Sequence, residues 1–135
     1  MTEKDLFEYL RCKNKIKKLL RNLEECNEYL TSPKSCNLTS IPGGTGDDEA
    51  RMIFLDRKTK IKRQIEELVM LRDLAEHKLD MVSDKLEEDL DIDIFDYLYR
   101  KGFDISDIAI TLAYTRSWIY KRRKHILLIA AGIQA

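Results

Sequence analysis

The sequence has few turn-forming residues and no long apolar segment. Its 135 residues include 5 glycines and 2 prolines, fewer than the many turns of an all-β fold of this length require. The longest wholly apolar run is 126–131, whereas a membrane-spanning helix needs about 20 residues. These absences predict a soluble, largely helical protein without a membrane segment.

The N-terminus and the cysteines indicate the cellular compartment of the protein. Residues 1–6 include acidic side chains and lack the apolar centre of a secretory signal, so we expect a cytoplasmic protein. The odd number of cysteines, spaced by 14 and 10 residues, matches neither a disulfide framework nor a zinc pattern. We therefore expect three free thiols: Cys12, Cys26 and Cys36.

Residues suited to catalysis are also scarce. The two histidines, His77 and His125, have no partner pattern around them, and catalysis needs titratable groups that converge. The Gly-rich stretch 43–46 lacks a preceding apolar strand and a closing Gly-Lys-Ser/Thr, which a phosphate-binding loop requires. The expectation is a protein that is not an enzyme and binds no cofactor or metal.

Two long segments have the heptad spacing of helices that pack along their length. The first, 5–30, has the spaced positions Tyr9, Lys13, Ile16, Leu20, Leu23, Asn27 and Leu30, of which Lys13 and Asn27 are polar. A second stripe, formed by Phe7, Leu10, Leu19 and Cys26, widens its apolar face. The second, 49–86, is expected to be capped by Asp47 or Asp48 and has Phe54, Lys58, Ile61, Ile65, Leu68, Arg72, Ala75, Leu79, Val82 and Leu86. The Pro/Gly-rich segment 32–48 separates them. This pattern predicts a long antiparallel, coiled-coil-like helical hairpin that closes on a second copy of itself, with a dimer favoured.

The zero net charge hides a split between adjacent segments. Residues 81–97 have a net charge of −6, whereas residues 98–135 have a net charge of +5. The whole chain is therefore not attracted to a polyanion, and any such attraction must come from a local patch. The basic C-terminal segment is the first candidate.

The C-terminal segment predicts three helices. A helix over 93–102 stops at a glycine, and a short second helix is capped by Asp104 and buries Ile105, Ile108, Ala109 and Leu112. Thr115 is expected to cap a third helix over 116–129. Two short helices joined by a tight turn, the second basic and aromatic, are typical of a helix-turn-helix. The predicted fold is thus all-α, with an oligomerisation hairpin over 1–86 and a helix-turn-helix domain over 87–135.

Seven residues of the third helix are candidate contacts to double-stranded DNA, with this helix in the major groove. Those near its N-terminus are positioned for base edges and the later ones for phosphates: Arg116, Ser117, Tyr120 and Lys121, then Arg122, Arg123 and Lys124. The alternative is that 121–124 is a solvated helix end that complements the helix dipole. Trp118 is predicted to lie in the core, against Tyr114 or Tyr99.

Residues 99–124 resemble region four of bacterial sigma factors. The whole chain is similar to ArpU-type regulators of phages and prophages of Gram-positive bacteria, through the loop 39–44 with Asp47 and through Ile108, Ala109, Leu112, Tyr114 and Ile119. The resemblance implies a coiled-coil N-terminal half followed by a sigma-like helix-turn-helix. It also implies DNA binding and control of late or packaging genes in a bacterial host. The family's turn has glycine where this chain has Ala113, so a left-handed backbone there would cost about 1 kcal/mol.

The leading hypothesis is a dimeric or higher-order DNA-binding transcriptional regulator. One alternative is a phage DNA-packaging component similar to a small terminase subunit, which would assemble into a ring. Another is a helical protein-interaction module whose acidic segment, 84–96, docks on a basic surface such as that of RNA polymerase.

Overall fold

The protein is all-α. The computed structural model describes residues 1–31 and 45–133, with side chains described at 1–31 and 49–133. It contains the helices α1 (Glu3–Thr31), α2 (Thr45–Ser83), α3 (Asp89–Phe95), α4 (Ile105–Leu112) and α5 (Arg116–Ala131), and a π-helical turn, Asp96–Arg100, that continues α3. These ranges contain no strand, so the predicted fold class is confirmed. None of the described helices is both long and apolar enough to cross a membrane.

Several helix ends differ from the sequence-based expectation. Helix α2 begins at Thr45, so the prediction that Asp47 or Asp48 caps it is wrong. Helix α3 begins at Asp89, four residues before the predicted start. The acidic side chains Asp89 and Asp91 lie in its first turn, where they favour an earlier start through the helix dipole. The predicted loop motif at 39–44 and Cys36 lie outside the described residues.

The chain divides into two compact units. Unit 1 consists of Met1–Lys13 and Met70–Ala135, and unit 2 is Asn14–Val69, so α1 and α2 each contribute to both. These limits do not coincide with the predicted division after residue 86. The reason is that Leu79 and Val82, at the end of α2, are buried in the same apolar core as α3, α4 and α5.

Unit 1 has the apolar core of the protein. Its buried members are Leu6, Leu79, Val82, Leu86, Ile94, Phe95, Leu98, Tyr99, Ile108, Ala109, Ile119, Ile126 and Ala130. The ring of Tyr99 packs between those of Phe7 and Phe95, at centroid distances of 5.0 and 5.2 Å. Its hydroxyl donates to Glu3 Oε1 over 3.3 Å, and burial raises the pKa of Tyr99. This phenol therefore remains a neutral hydrogen-bond donor.

Unit 2 is formed by the end of α1 and the beginning of α2. The two helices run antiparallel there. Tyr29, near the end of α1, stacks on Phe54, near the start of α2, with ring centroids 3.9 Å apart. Arg51 also donates to the carbonyl oxygen of Leu30 over 3.3 Å. A cleft of about 470 Å³ opens between these helix segments, and Cys26 and Ile61 are among its lining residues.

The buried face of α1 includes Ile16 of the first predicted stripe and Cys26 of the second, and it adds Cys12, which belonged to neither. Cys12 and Cys26 are buried at 2% and 3% exposure, whereas Lys13 is exposed and Leu20 is 50% exposed. A thiol behaves as a small apolar group, while burial of an unpaired ammonium is costly, so the helix turns its cysteines inward. The predicted stripe of α2 is confirmed, with Ile61 and Leu79 among its buried members.

Candidate nucleic-acid interface

Helix α4 is fixed by its cap and its apolar face. The Asp104 carboxylate accepts a hydrogen bond from the backbone N–H of Asp107 over 2.8 Å, as the sequence predicted. Ile108 and Ala109 are buried at 0% and 7% exposure. The small Ala109 side chain suits close packing of a helix against its neighbours, because any larger group would have to displace them.

A three-residue connection joins α4 to α5. Ala113 adopts a left-handed conformation, with φ 59° and ψ 41°, at the position where the resembling family has glycine. Tyr114 N–H donates to the carbonyl oxygen of Ala109 over 3.0 Å, which closes the turn. The Thr115 hydroxyl then accepts from Trp118 N–H over 3.2 Å and caps α5 as predicted. These local bonds set the direction in which α5 leaves the turn.

We expect Ala113→Gly to stabilise the protein by about 1 kcal/mol, because glycine has no Cβ to strain a left-handed backbone. Chemical denaturation of the full chain measures this change. The matched control is Ala50→Gly, within the right-handed α2, which should destabilise by about 0.5–1 kcal/mol. Destabilisation by Ala113→Gly would show that this turn is not strained.

Helix α5 packs one face into the core of unit 1 and leaves the other exposed. Ile119, Ile126 and Ala130 are fully buried. Ser117, Lys121 and Lys124, spaced by four and three residues, are exposed and share the opposite face of the helix. The exposed face therefore combines a hydroxyl donor and acceptor with two cations.

Five of the seven predicted contact residues are exposed: Arg116, Ser117, Tyr120, Lys121 and Lys124. Within the described part of the chain, no carboxylate lies within 4 Å of the cations Arg116, Lys121 and Lys124. Their charges are thus available to an external anion.

Arg122 has a different environment. Its guanidinium binds Asp91 of α3 through two hydrogen bonds, one of them 2.7 Å between Nε and Oδ1, and it also donates to Glu88 over 3.2 Å. Asp91 is only 1% exposed. The hydrogen bonds to Asp91, opposed in part by desolvation, raise the pKa of Arg122. The pair ties α5 to α3 and leaves Arg122 less accessible than a phosphate contact requires.

Arg123 is also turned inward. Its side chain is 32% exposed, and its Nε lies 3.9 Å from Glu3 Oε1. The guanidinium carbon lies 5.6 Å from the centroid of the Tyr120 ring. The basic run of α5 therefore separates into exposed cations and arginines that contact other parts of unit 1.

Trp118 is 39% exposed, so the prediction that it lies in the core is wrong. It does stack on Tyr114, as the sequence suggested, with ring centroids 6.4 Å apart, and Tyr114 is 46% exposed. The guanidinium carbon of Arg122 lies over the Trp118 ring, 5.8 Å from its centroid. The spacing of four residues between Tyr114, Trp118 and Arg122 is the sequence signal for this exposed stack.

The described residues contain no group of three or more His, Cys, Asp or Glu side chains that could hold a metal ion. Comparisons of the chain with protein-family models, with curated proteins and with solved structures find no match.

Proposed function

We propose that α4 and α5 form a helix-turn-helix that binds double-stranded DNA, with α5 in the major groove. The observation that supports this most is the exposed face of α5, where Arg116, Lys121 and Lys124 have no carboxylate partner among the described residues. Two side-chain caps and a buried apolar face hold α5 in a fixed direction. A rigid helix with free cations near its N-terminus is suited to a DNA groove.

The proposed contact residues of α5 divide into those for base edges and those for phosphates. Arg116, Ser117, Tyr120 and Lys121, near the N-terminus of α5, are the candidates for base edges. Lys124, one turn later, is the candidate for a phosphate contact. Arg122 and Arg123 contact other protein groups, so we assign them to the support of α5.

The regulatory role rests on the resemblance of residues 99–124 to sigma region four and of the chain to ArpU-type regulators. A phage or prophage transcription regulator needs a DNA-reading element, and the proposed helix-turn-helix supplies it. Exposed carboxylates of the acidic segment, such as Asp84 and Asp93, are candidate contacts for a basic surface of RNA polymerase.

Selection of binding sites from a random-sequence duplex library tests the division between base and phosphate contacts. Arg116→Ala should lose about 1–3 kcal/mol of binding and relax the base preference at one position, because a guanidinium reads guanine through two hydrogen bonds. Lys124→Gln should weaken binding to all sequences equally. The same uniform loss in both variants would contradict a base-reading role for Arg116.

We also propose that the chain forms a homodimer. Met70, Leu71 and Leu74 of α2 are 70%, 50% and 61% exposed and share one side of the helix. Such a cluster on a charged helix is a candidate for a self-complementary contact between two copies.

Leu74→Lys should convert the dimer to a monomer without loss of helix content, since Leu74 is already exposed. Sedimentation velocity measures the assembly, and Leu128→Lys, at another exposed leucine of 73% exposure, is the control. A wild-type ring of many copies would favour the packaging alternative, and a wild-type monomer would contradict the dimer.

A further inference from the structure

Unit 2 contains two segments in which every charged residue is a cation, and we call these cations together the cationic band. Residues 15–21 of α1 and 57–63 of α2 contain nine lysines and arginines and no acidic residue. They are Lys15, Lys17, Lys18, Arg21, Arg57, Lys58, Lys60, Lys62 and Arg63. All are exposed except Lys58, which is partly buried. The neutral charge of the whole chain conceals this concentration.

The nine cations have no ion-pair partner among the described residues. No described carboxylate lies within 4 Å of any of them, including that of Glu25, which lines the same cleft as Arg57 and Lys60. In unit 1, by contrast, Arg100 contacts Glu76, Asp80 and Asp96, and Arg122 contacts Glu88 and Asp91. The described cations of the band have no such compensation.

The two segments lie at neighbouring heights along the helix pair. Arg21 lies eight residues before Tyr29 and Lys62 lies eight residues after Phe54, and those two rings stack on each other. Arg21 and Lys62 are therefore at the same height in the antiparallel pair. At 1.5 Å per residue the band extends over roughly 17 Å, the rise of about five base pairs of a DNA duplex.

Part of the band borders the cleft of unit 2. Arg57 and Lys60 line the cleft, as do Leu19 and Asn22 of α1. Lys15 and Lys18 lie four residues before Leu19 and Asn22, so they belong to the same side of α1. Cations from both helices thus face the same side of the pair.

We infer that the cationic band of unit 2 is a second DNA-binding surface, which binds the phosphates of a duplex without regard to sequence. Neither segment contains an aromatic residue, so the band lacks the stacking platforms that recognise unpaired bases. Cations without such platforms bind the phosphate backbone and release its counterions. The choice of duplex DNA among polyanions rests on the proposed function of α5.

The test compares three variants of the full chain by fluorescence anisotropy with a labelled random-sequence duplex. The band variant is Lys15→Gln, Lys18→Gln, Arg57→Gln and Lys60→Gln, which lie on the cleft side of the helix pair, and glutamine keeps helix propensity. The control removes four cations of unit 1 outside α5: Lys4→Gln, Lys13→Gln, Lys78→Gln and Lys85→Gln. The third variant, Lys121→Gln with Lys124→Gln, changes α5 alone.

The band variant should bind the random duplex at least about a hundredfold more weakly than wild type, and the slope of log affinity against log salt should fall by about 3–4. The control variant should change affinity by less than about threefold. Circular dichroism should show that the band variant keeps its helices, because removal of like charges does not destabilise them.

Equal affinity of the band and control variants would overturn the inference. A loss in the band variant with no effect of the α5 variant would support the band and contradict the proposed role of α5. The reverse pattern would support α5 and overturn the band. If the band variant lost binding to duplex RNA or to anionic phospholipid vesicles but bound duplex DNA as wild type does, the assignment of DNA as the partner would also be overturned.

Discussion

Replacement of Lys121 and Lys124 by glutamate should lower the affinity of the protein for its selected duplex by about a hundredfold at physiological salt. Both side chains are exposed on α5, and neither has a described carboxylate within 4 Å. Each phosphate contact contributes nearly one unit to the salt dependence of binding, so loss of the Lys124 contact should lower the slope by about 1. Fluorescence anisotropy at several salt concentrations measures both quantities.

The control for this charge reversal is Lys4→Glu with Lys13→Glu. Both lysines are exposed on α1, and the change in net charge is the same. A general electrostatic effect would lower affinity equally in the two variants. An unchanged affinity in the α5 variant would show that this face of the helix does not contact DNA.

Replacement of Arg122 by methionine should destabilise the fold by about 3 kcal/mol, because it leaves the Asp91 carboxylate buried without its partner. For a chain of this size that corresponds to a decrease in Tm of about 10 °C. Thermal and chemical denaturation of the full chain measure the effect. Lys124→Met, at an exposed and unpaired position, should change stability by less than about 0.5 kcal/mol.

A double-mutant cycle separates the ion pair from the packing of the methylene groups. Asp91→Leu together with Arg122→Met removes both charges, and this variant should be about 2 kcal/mol more stable than Arg122→Met alone. Additive effects of the two substitutions would show that Asp91 and Arg122 do not stabilise each other. The DNA affinities of the same four proteins show whether the pair also orients α5.

Much of the architecture could be predicted from periodicity and local bonding. The stripe of α2 and the caps Asp104 and Thr115 depend on residues close in sequence, and their predictions are confirmed. Such features involve few residues, so the sequence pattern determines them directly. The left-handed backbone of Ala113 stands where the resembling family has glycine, and the sequence alone left open whether this turn is strained or has a different form.

Features that depend on distant residues were harder to predict. Arg122 was expected to contact phosphate, but its partners Asp91 and Glu88 are more than thirty residues away in the sequence. Trp118 was expected in the core, yet it is 39% exposed and contacts Tyr114 and Arg122. Packing between helices decides which cation is paired and which aromatic side chain is buried.

The buried face of α1 shows a related difficulty. Ile16 of the first predicted stripe and Cys26 of the second are buried, whereas Leu20 of the first and Phe7 of the second are exposed. Periodicity gives the spacing of a buried face, but its angular position depends on the packing of neighbouring helices. Cys12 belonged to neither predicted stripe and is buried, as a small apolar side chain can be.

The most direct test of the central claim is the affinity of the wild-type chain for a duplex selected from a random library, compared with a shuffled duplex of equal composition. Anisotropy at about 50 mM and about 200 mM salt gives the two affinities and their salt dependence. If α5 reads base edges, the selected duplex should bind at least about a thousandfold more tightly than the shuffled one. Equal affinities, or no binding at the lower salt concentration, would contradict a sequence-reading role for α5.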